Sequence, residues 1–312
     1  MCEDFSILVG AASAAKVLRP EPLRTYCLSV TVLEAIQRSS EFLARKGVDS
    51  PRLQAESLLA HVLQTSRMKL YLSFDRPLSE PEADAYRELI QRRGKREPLQ
   101  HIVGTVCFCG LELRVNGHVL VPRPETELLA ERAAHWVKTR SQSSVLDFGT
   151  GSGCLAITLA RQCPSARIDA LDVSSDALMV AKENAVRHEV AGRIQFLQGS
   201  GLEALPAGHR YDLVVSNPPY VPSEEIKTLM PEVRDHDPVS ALDGGSDGLD
   251  FYRVFATGLL SCLGPRGVVM LEFGYGQAAA IETMFSIVGW ERGEVIRDYS
   301  GCERIFIAQK SD

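Results

Sequence analysis

The sequence predicts an α/β protein, in which a doubly wound, mostly parallel sheet domain is preceded by a small all-helical domain and a β-hairpin linker. Three observations carry this. From Ser143 onward, short β-branched apolar runs alternate with amphipathic stretches, the pattern of buried strands joined by covering helices. From Ser29 to about Lys95, apolar residues recur with helical period only. Between the two, over residues 99–121, the period shifts to two.

The totals set limits. A chain of 312 residues accommodates two domains or one large one. A net charge of −6 argues against broad electrostatic binding, so no direct nucleic-acid partner is expected. The basic run Arg87–Arg96 reads as the solvated end of a helix. Cysteines at 2, 27, 107, 109, 154, 163, 262 and 302 form no CxxC pair, and no histidine lies at zinc spacing. We therefore expect a reducing compartment, no structural disulfide and no metal. Residues 5–15 are apolar but too short to span a membrane, and two acids precede them where a signal peptide needs positive charge. Residues 1–28 read as a disordered extension. The expectation is a soluble, cytoplasmic protein, monomeric and without membrane contact.

In the helical domain, residues 29–98, Leu33, Ile36, Phe42 and Leu43 mark the first amphipathic segment, which Gly47 ends. Ser50-Pro51 opens the next, with proline at the first helical position. A short third segment covers Arg67 to Phe74, and Ser79-Glu-Pro-Glu82 starts a fourth with a capping signature. No chemistry is visible here, so the domain is a candidate recognition module. In the linker, residues 99–121, Val106, Phe108, Leu111, Leu113 and Val115 alternate, with Asn116-Gly117 as the turn signal. The remaining domain, residues 122–312, opens with Pro122-Arg-Pro-Glu125-Thr-Glu127, a helix start with acids in its first turn.

The chemistry gathers at strand ends. Asp147-Phe-Gly149-Thr150-Gly151-Ser-Gly153 joins the first strand to its helix, and glycines there let backbone approach a ligand closely. A dinucleotide fingerprint would want GxGxxG, but the residue three past Gly151 is Cys154. The second strand ends on Asp172, whose carboxylate can take two ribose hydroxyls. Leu213-Val-Val215 then runs into Ser216-Asn217-Pro218-Pro219-Tyr220, where two prolines stop both helix and ladder. An asparagine amide, a proline carbonyl and a tyrosine ring are thereby held stiffly where open α/β sheets bind ligands. Two acceptors and a ring suit a planar NH2 group.

The GxGxG spacing resembles the cofactor loop of S-adenosylmethionine-dependent methyltransferases, and Asn217-Pro-Pro-Tyr220 resembles the motif of enzymes that methylate a planar amino group in adenine, cytosine or glutamine. Glu97-Pro-Leu-Gln-His-Ile-Val-Gly104, Phe108-x-Gly110-Leu111, Val121-Pro-Arg-Pro-Glu-Thr-Glu127 and Ala241-Leu-x-Gly-Gly245-x-Asp-Gly-Leu249 together look like the HemK/PrmC family of release factor glutamine N5-methyltransferases. The likeness covers roughly residues 30–309. It implies a class I (Rossmann-like) S-adenosylmethionine-dependent methyltransferase domain. It implies that Asp147, Gly149, Thr150, Gly151, Gly153, Asp172 and Asn217 surround the cofactor. It implies further that Asn217, Pro218 and Tyr220 act on the glutamine amide, with Pro219, Phe108 and Glu125 also on the substrate side. The chain departs from the family's pattern at Ser200 and Gly201, where an acid and an aromatic often stand over the adenine, and at Cys302, where an asparagine is usual. The expected partner is a peptide chain release factor carrying a Gly-Gly-Gln loop. Alternatives are a ribosomal-protein glutamine, adenine in DNA, or a binding module without activity.

Overall fold

The computed structural model describes residues 30–291 and 293–311; the extension expected at residues 1–28 lies outside the described residues. Thr31 caps α1 (Val32–Arg45) in a capping box: its hydroxyl accepts from Glu34 N at 3.3 Å and its own N donates to Glu34 Oε2 at 3.2 Å. Pro51 opens α2 (Pro51–Val62), and α3 (Arg67–Leu70) is a single turn. The Ser79–Glu82 signature opens α4 (Glu80–Gly94), with Ser79 N donating to Glu82 Oε2 at 2.9 Å. Val32, Ile36, Leu43, Leu58, Leu59 and Leu70 close a core of their own, each such side chain contributing about 1.5–3 kcal/mol.

Three expectations are corrected in this half. The basic run ends α4 with Arg87 and Lys95 exposed, but it is not solvated throughout: Arg93 is 3% exposed, and Arg93 and Arg96 both donate to Glu232, three contacts at 2.6 Å. Fork-shaped guanidinium–carboxylate pairing offsets the cost of that burial. Residues Leu99–Val103 are helical, forming α5 (Leu99–Val103), which Gly104 ends in the left-handed region. Their apparent alternation was too short to distinguish a turn of helix from a strand. The hairpin of β1 (Thr105–Phe108) and β2 (Leu111–Arg114) turns at Cys109-Gly110, where φ is +48° and +75°, and not at Asn116-Gly117. Cys109 is held in that conformation by its N–H, which donates to Glu127 Oε1 at 2.8 Å. Asn116 makes a separate turn, accepting from His118 N.

α6 (Pro124–Lys138) leads into the sheet, which comprises β3 (Ser143–Phe148), β4 (Ala166–Asp172), β5 (Ile194–Gln198), β6 (Tyr211–Ser216), β7 (Leu263–Glu272), β8 (Glu294–Arg297) and β9 (Glu303–Gln309). The order is β5-β4-β3-β6-β7-β9-β8, with β9 antiparallel to both neighbours. Between the strands run α7 (Cys154–Gln162), α8 (Ser175–Arg187), the one-turn α9 (Pro231–Arg234), α10 (Asp250–Cys262) and α11 (Ala278–Ser286). Period two sorts the strand residues between two cores: Leu213, Val215, Val268 and Met270 pack with α6 and α7, while Val214, Val269 and Leu271 pack with α10 and α11. The chain leaves β3 toward β4 and β5, then crosses back to β6, so the order reverses between β3 and β6. Ligands bind at the carboxyl ends of strands beside such a reversal. The six cysteines among the described residues are free thiols. No helix of the described residues is long and apolar enough to cross a membrane.

Candidate active site

Register places the expected residues together. Phe148 faces Leu171 on one side and Ser216 on the other, so the next residues outward, Gly149, Asp172 and Asn217, end neighbouring strands. The Ser216 hydroxyl donates to Phe148 O at 2.7 Å and ties two of those ends. Above them lies a cavity of about 380 Å³, lined among others by Gly149, Gly151, Asp172, Asn217 and Pro219. That size suits a nucleoside-bearing ligand.

The glycine loop is clamped from behind. Gly149 N and Thr150 N donate to Leu171 O at 2.8 and 3.0 Å. Gly149 and Gly151 have φ of +74° and +55°, and a Cβ on either would project into open space, so the constraint is conformational. Gly153, at φ +82°, carries the same constraint and a second one, since a Cβ there would lie 2.8 Å from Ile157 Cδ1 of α7. Asp172 accepts from Gly151 N at 2.8 Å and Ser174 N at 2.9 Å, one per carboxylate oxygen. Each oxygen keeps a second lone pair toward the cavity.

Asp147 stands elsewhere. It is 0% exposed, and its Oδ2 accepts from Thr150 Oγ1 at 2.7 Å and Ala156 N at 3.0 Å. It therefore braces loop against helix from beneath, and Thr150, also buried, serves the same brace. Burial pushes the Asp147 carboxyl up to about 7, against those two hydrogen bonds.

The Asn217 amide donates from Nδ2 to Thr126 Oγ1 at 3.1 Å, which leaves Oδ1 as acceptor. Asn217 also lines a second cavity of about 220 Å³, walled by Arg123, Tyr220, Leu229 and Val233. Pro218 is buried, Pro219 faces the first cavity and Tyr220 the second. Gln277 Nε2 donates to Tyr220 O at 2.9 Å, and Gly248 packs so closely that a Cβ would fall 2.3 Å from that oxygen. The glycine-rich segment after the motif thus holds the Pro-Pro-Tyr backbone in place. Burial, then the nearby Glu272, pushes the Tyr220 hydroxyl up to about 12, so it stays neutral.

Phe108 does not meet the expectation of a place beside the substrate: it is 1% exposed and packs under α6 with Leu113 and Leu129. Glu125 is exposed in the first turn of α6. Several lining residues escaped the sequence reading. His118 and Val119 come from the linker and Phe251 from α10, while Ser200 also lines the cavity with its hydroxyl 3.4 Å from Glu203 Oε1. Phe251 had a signal, as an aromatic in the first turn of a helix facing the sheet; His118 had none. Thr126 and Glu272, buried beside Asn217, were also missed.

The family described as PrmC N-terminal domain matches residues 34–104, and the methyltransferase small domain matches residues 125–233. The chain is 43% identical over 275 residues to a release factor glutamine methyltransferase of Geobacter sulfurreducens, covering 88% of this chain and 95% of that one. It is 41% identical over 282 residues to the protein of that name from Chlorobaculum tepidum, covering 88% and 95%. Among solved structures it resembles a methyltransferase from Pyrococcus furiosus, with TM-score 0.50, 18% identity, and 65% of this chain and 91% of that one covered. It also resembles the hMettl16 catalytic domain, with TM-score 0.51, 16% identity, and coverage of 75% and 83%. These two show the Rossmann-like fold. S-Adenosylmethionine is the cofactor of a methyltransferase of this fold, and the open glycine cradle beside Asp172 fits it. With a helical part, a glycine loop and Asn217-Pro-Pro-Tyr220 arranged in this order, the chain belongs to the release factor glutamine methyltransferase family.

Proposed function

We propose that the protein methylates the side-chain amide nitrogen of the glutamine in the Gly-Gly-Gln loop of a peptide chain release factor. One observation carries the reading: Asn217 lines both cavities, and because its Nδ2 is committed to Thr126, its Oδ1 is left as the acceptor. A carboxamide nitrogen is a poor nucleophile because its lone pair is delocalised, as in a peptide bond. Asn217 Oδ1 and the Pro218 carbonyl would accept the two hydrogens of the substrate NH2. They would thereby align its nitrogen and stabilise the positive charge that develops on it. Gly149, Gly151 and Asp172 would hold S-adenosylmethionine, which supplies a methyl group on an activated sulfonium. No strong base is needed, since the proton of the methylated amide is acidic and leaves afterward.

In this reading residues 29–98 recognise the substrate, 99–121 link, and 122–312 carry the chemistry. The grip of Arg93 and Arg96 on Glu232 supports it, because Val233, the next residue, walls the second cavity. Glu125, exposed at the start of α6, would meet the release factor. The protein would act as a cytoplasmic monomer on a protein partner, without direct nucleic-acid contact. Transfer of label from S-adenosylmethionine to purified release factor tests this. Label is expected on the wild-type factor and none on one whose Gly-Gly-Gln glutamine is replaced; equal label on both would refute it.

A further inference from the structure

The end of β7 carries an acid that no motif explains. Glu272 is 1% exposed, and its Oε2 is buried without a hydrogen-bond partner. In the β6–β7 pairing Ser216 faces Leu271, so the next residues outward, Asn217 and Glu272, sit side by side on adjacent strand ends. Thr126, 2% exposed, reaches over from the first turn of α6 and accepts from Asn217 Nδ2 at 3.1 Å. Thr126 and Asn217 are the polar neighbours of the Glu272 carboxylate and favour its charged form.

An asparagine amide has two ends. Turned over, it would present its NH2 to a substrate NH2, two donors and no bond. The Thr126 hydroxyl cannot decide between the ends, because it donates as readily as it accepts. An ionised carboxylate only accepts. Placed beside Thr126, it draws the threonine O–H as donor, leaves the threonine lone pair for Asn217 Nδ2, and turns Oδ1 outward. We infer that Glu272 is a positioning residue: through Thr126 and on Asn217 directly, it sets the polarity of the Asn217 amide so that Oδ1 meets the substrate nitrogen. This rests on the glutamine reading of the site.

The groups around Glu272 give the inference a pH signature. Burial acts most strongly and pushes its carboxyl up to about 7; Thr126, Arg304 and Asn217 oppose this, and Glu125 adds to it. Tyr220 and Tyr252 also face it, both held neutral, as is the Cys154 thiol. The acceptor-only form is thus gained as pH rises through about 7, and kcat should rise with it.

The test compares label transfer to release factor by wild type, E272Q, T126V and T126S across the pH range around neutrality, with S-adenosylhomocysteine affinity and thermal midpoint measured alongside. We expect kcat to fall about tenfold or more in E272Q and T126V, with T126S near wild type and cofactor affinity changed less than about twofold. The acid limb near pH 7 should vanish in E272Q. A kcat for E272Q within about twofold of wild type, or an acid limb that survives, would overturn the inference. So would losses of cofactor affinity or thermal midpoint that parallel the loss of kcat, since those mark a merely structural role. If wild type labels no glutamine of the release factor, it is the reading of the site that fails.

Discussion

Glu56 in the helical part and Glu272 at the end of β7 are each 1% exposed, yet their surroundings treat them oppositely. Glu56 accepts from Arg52 Nε at 3.0 Å, Arg67 Nη2 at 3.0 Å and the Tyr71 hydroxyl at 2.9 Å. Burial pushes its carboxyl up, but hydrogen bonds from Arg67, Arg52 and Tyr71 outweigh this and hold it below the ordinary value. Asp147 and Glu272, at the ends of β3 and β7, each keep a buried oxygen with no partner. Burial pushes both up to about 7. Where an acid only has to hold helices together, its bonding capacity is filled. At the two strand ends it is left partly empty, and at Glu272, beside Asn217, that destabilising arrangement has a chemical use.

The largest effect should come from removing what the under-paired acid serves. Asn217→Ala is expected to lower kcat at least about 100-fold, as loss of a positioned charge-stabilising group does elsewhere, with S-adenosylhomocysteine affinity changed less than about threefold. Near wild-type turnover would remove the purpose assigned to Glu272. Asp172 sharpens the contrast from another side, since it borders the cavity yet has both oxygens bonded. Asp172→Ala should weaken S-adenosylmethionine binding by about 10–100-fold, the worth of hydrogen bonds to a charged group. Turnover at saturating cofactor should change little. Isothermal titration beside single-turnover rates separates the two variants; a matching loss of kcat in both would erase the distinction.

The parallel strands were legible because Val145-Leu146 and Leu213-Val-Val215 are buried on both faces, and such strands read as continuous apolar runs. The loop and Asn217-Pro-Pro-Tyr220 were legible because glycine and proline restrict backbone directly. Cys109 was not legible as a turn residue: its positive φ is stabilised by Glu127, eighteen positions away. Nor were Arg93 and Arg96, whose partner Glu232 lies more than a hundred residues downstream. Asp147 was placed correctly at its strand end, but the burial that turns it from cofactor contact to brace appears only in three dimensions. Glu272 ends a strand as many acids do; only the β6–β7 register puts it against Asn217.

The smallest effects are in stability, and they run in opposite directions with pH. Glu56 has a folded pKa below its ordinary 4.5, so its contribution is present above that pH and lost as pH falls through the folded value. Glu56→Gln should cost about 2 kcal/mol in urea unfolding at neutral pH and flatten the acid-side decline, with native turnover unchanged. Asp147 is raised from 3.8 to about 7, so the stability of its neutral form is complete below 3.8 and lost as pH rises through about 7. Asp147→Asn keeps an acceptor for Thr150 and Ala156 but carries no charge into the interior. It should therefore gain about 1 kcal/mol over wild type on the alkaline side and nothing on the acid side. Part of the alkaline decline will remain, because Glu272 still ionises there. Should Asp147→Asn leave the alkaline slope untouched, or Glu56→Gln alter it, the two acids would not differ in the way their hydrogen bonds say.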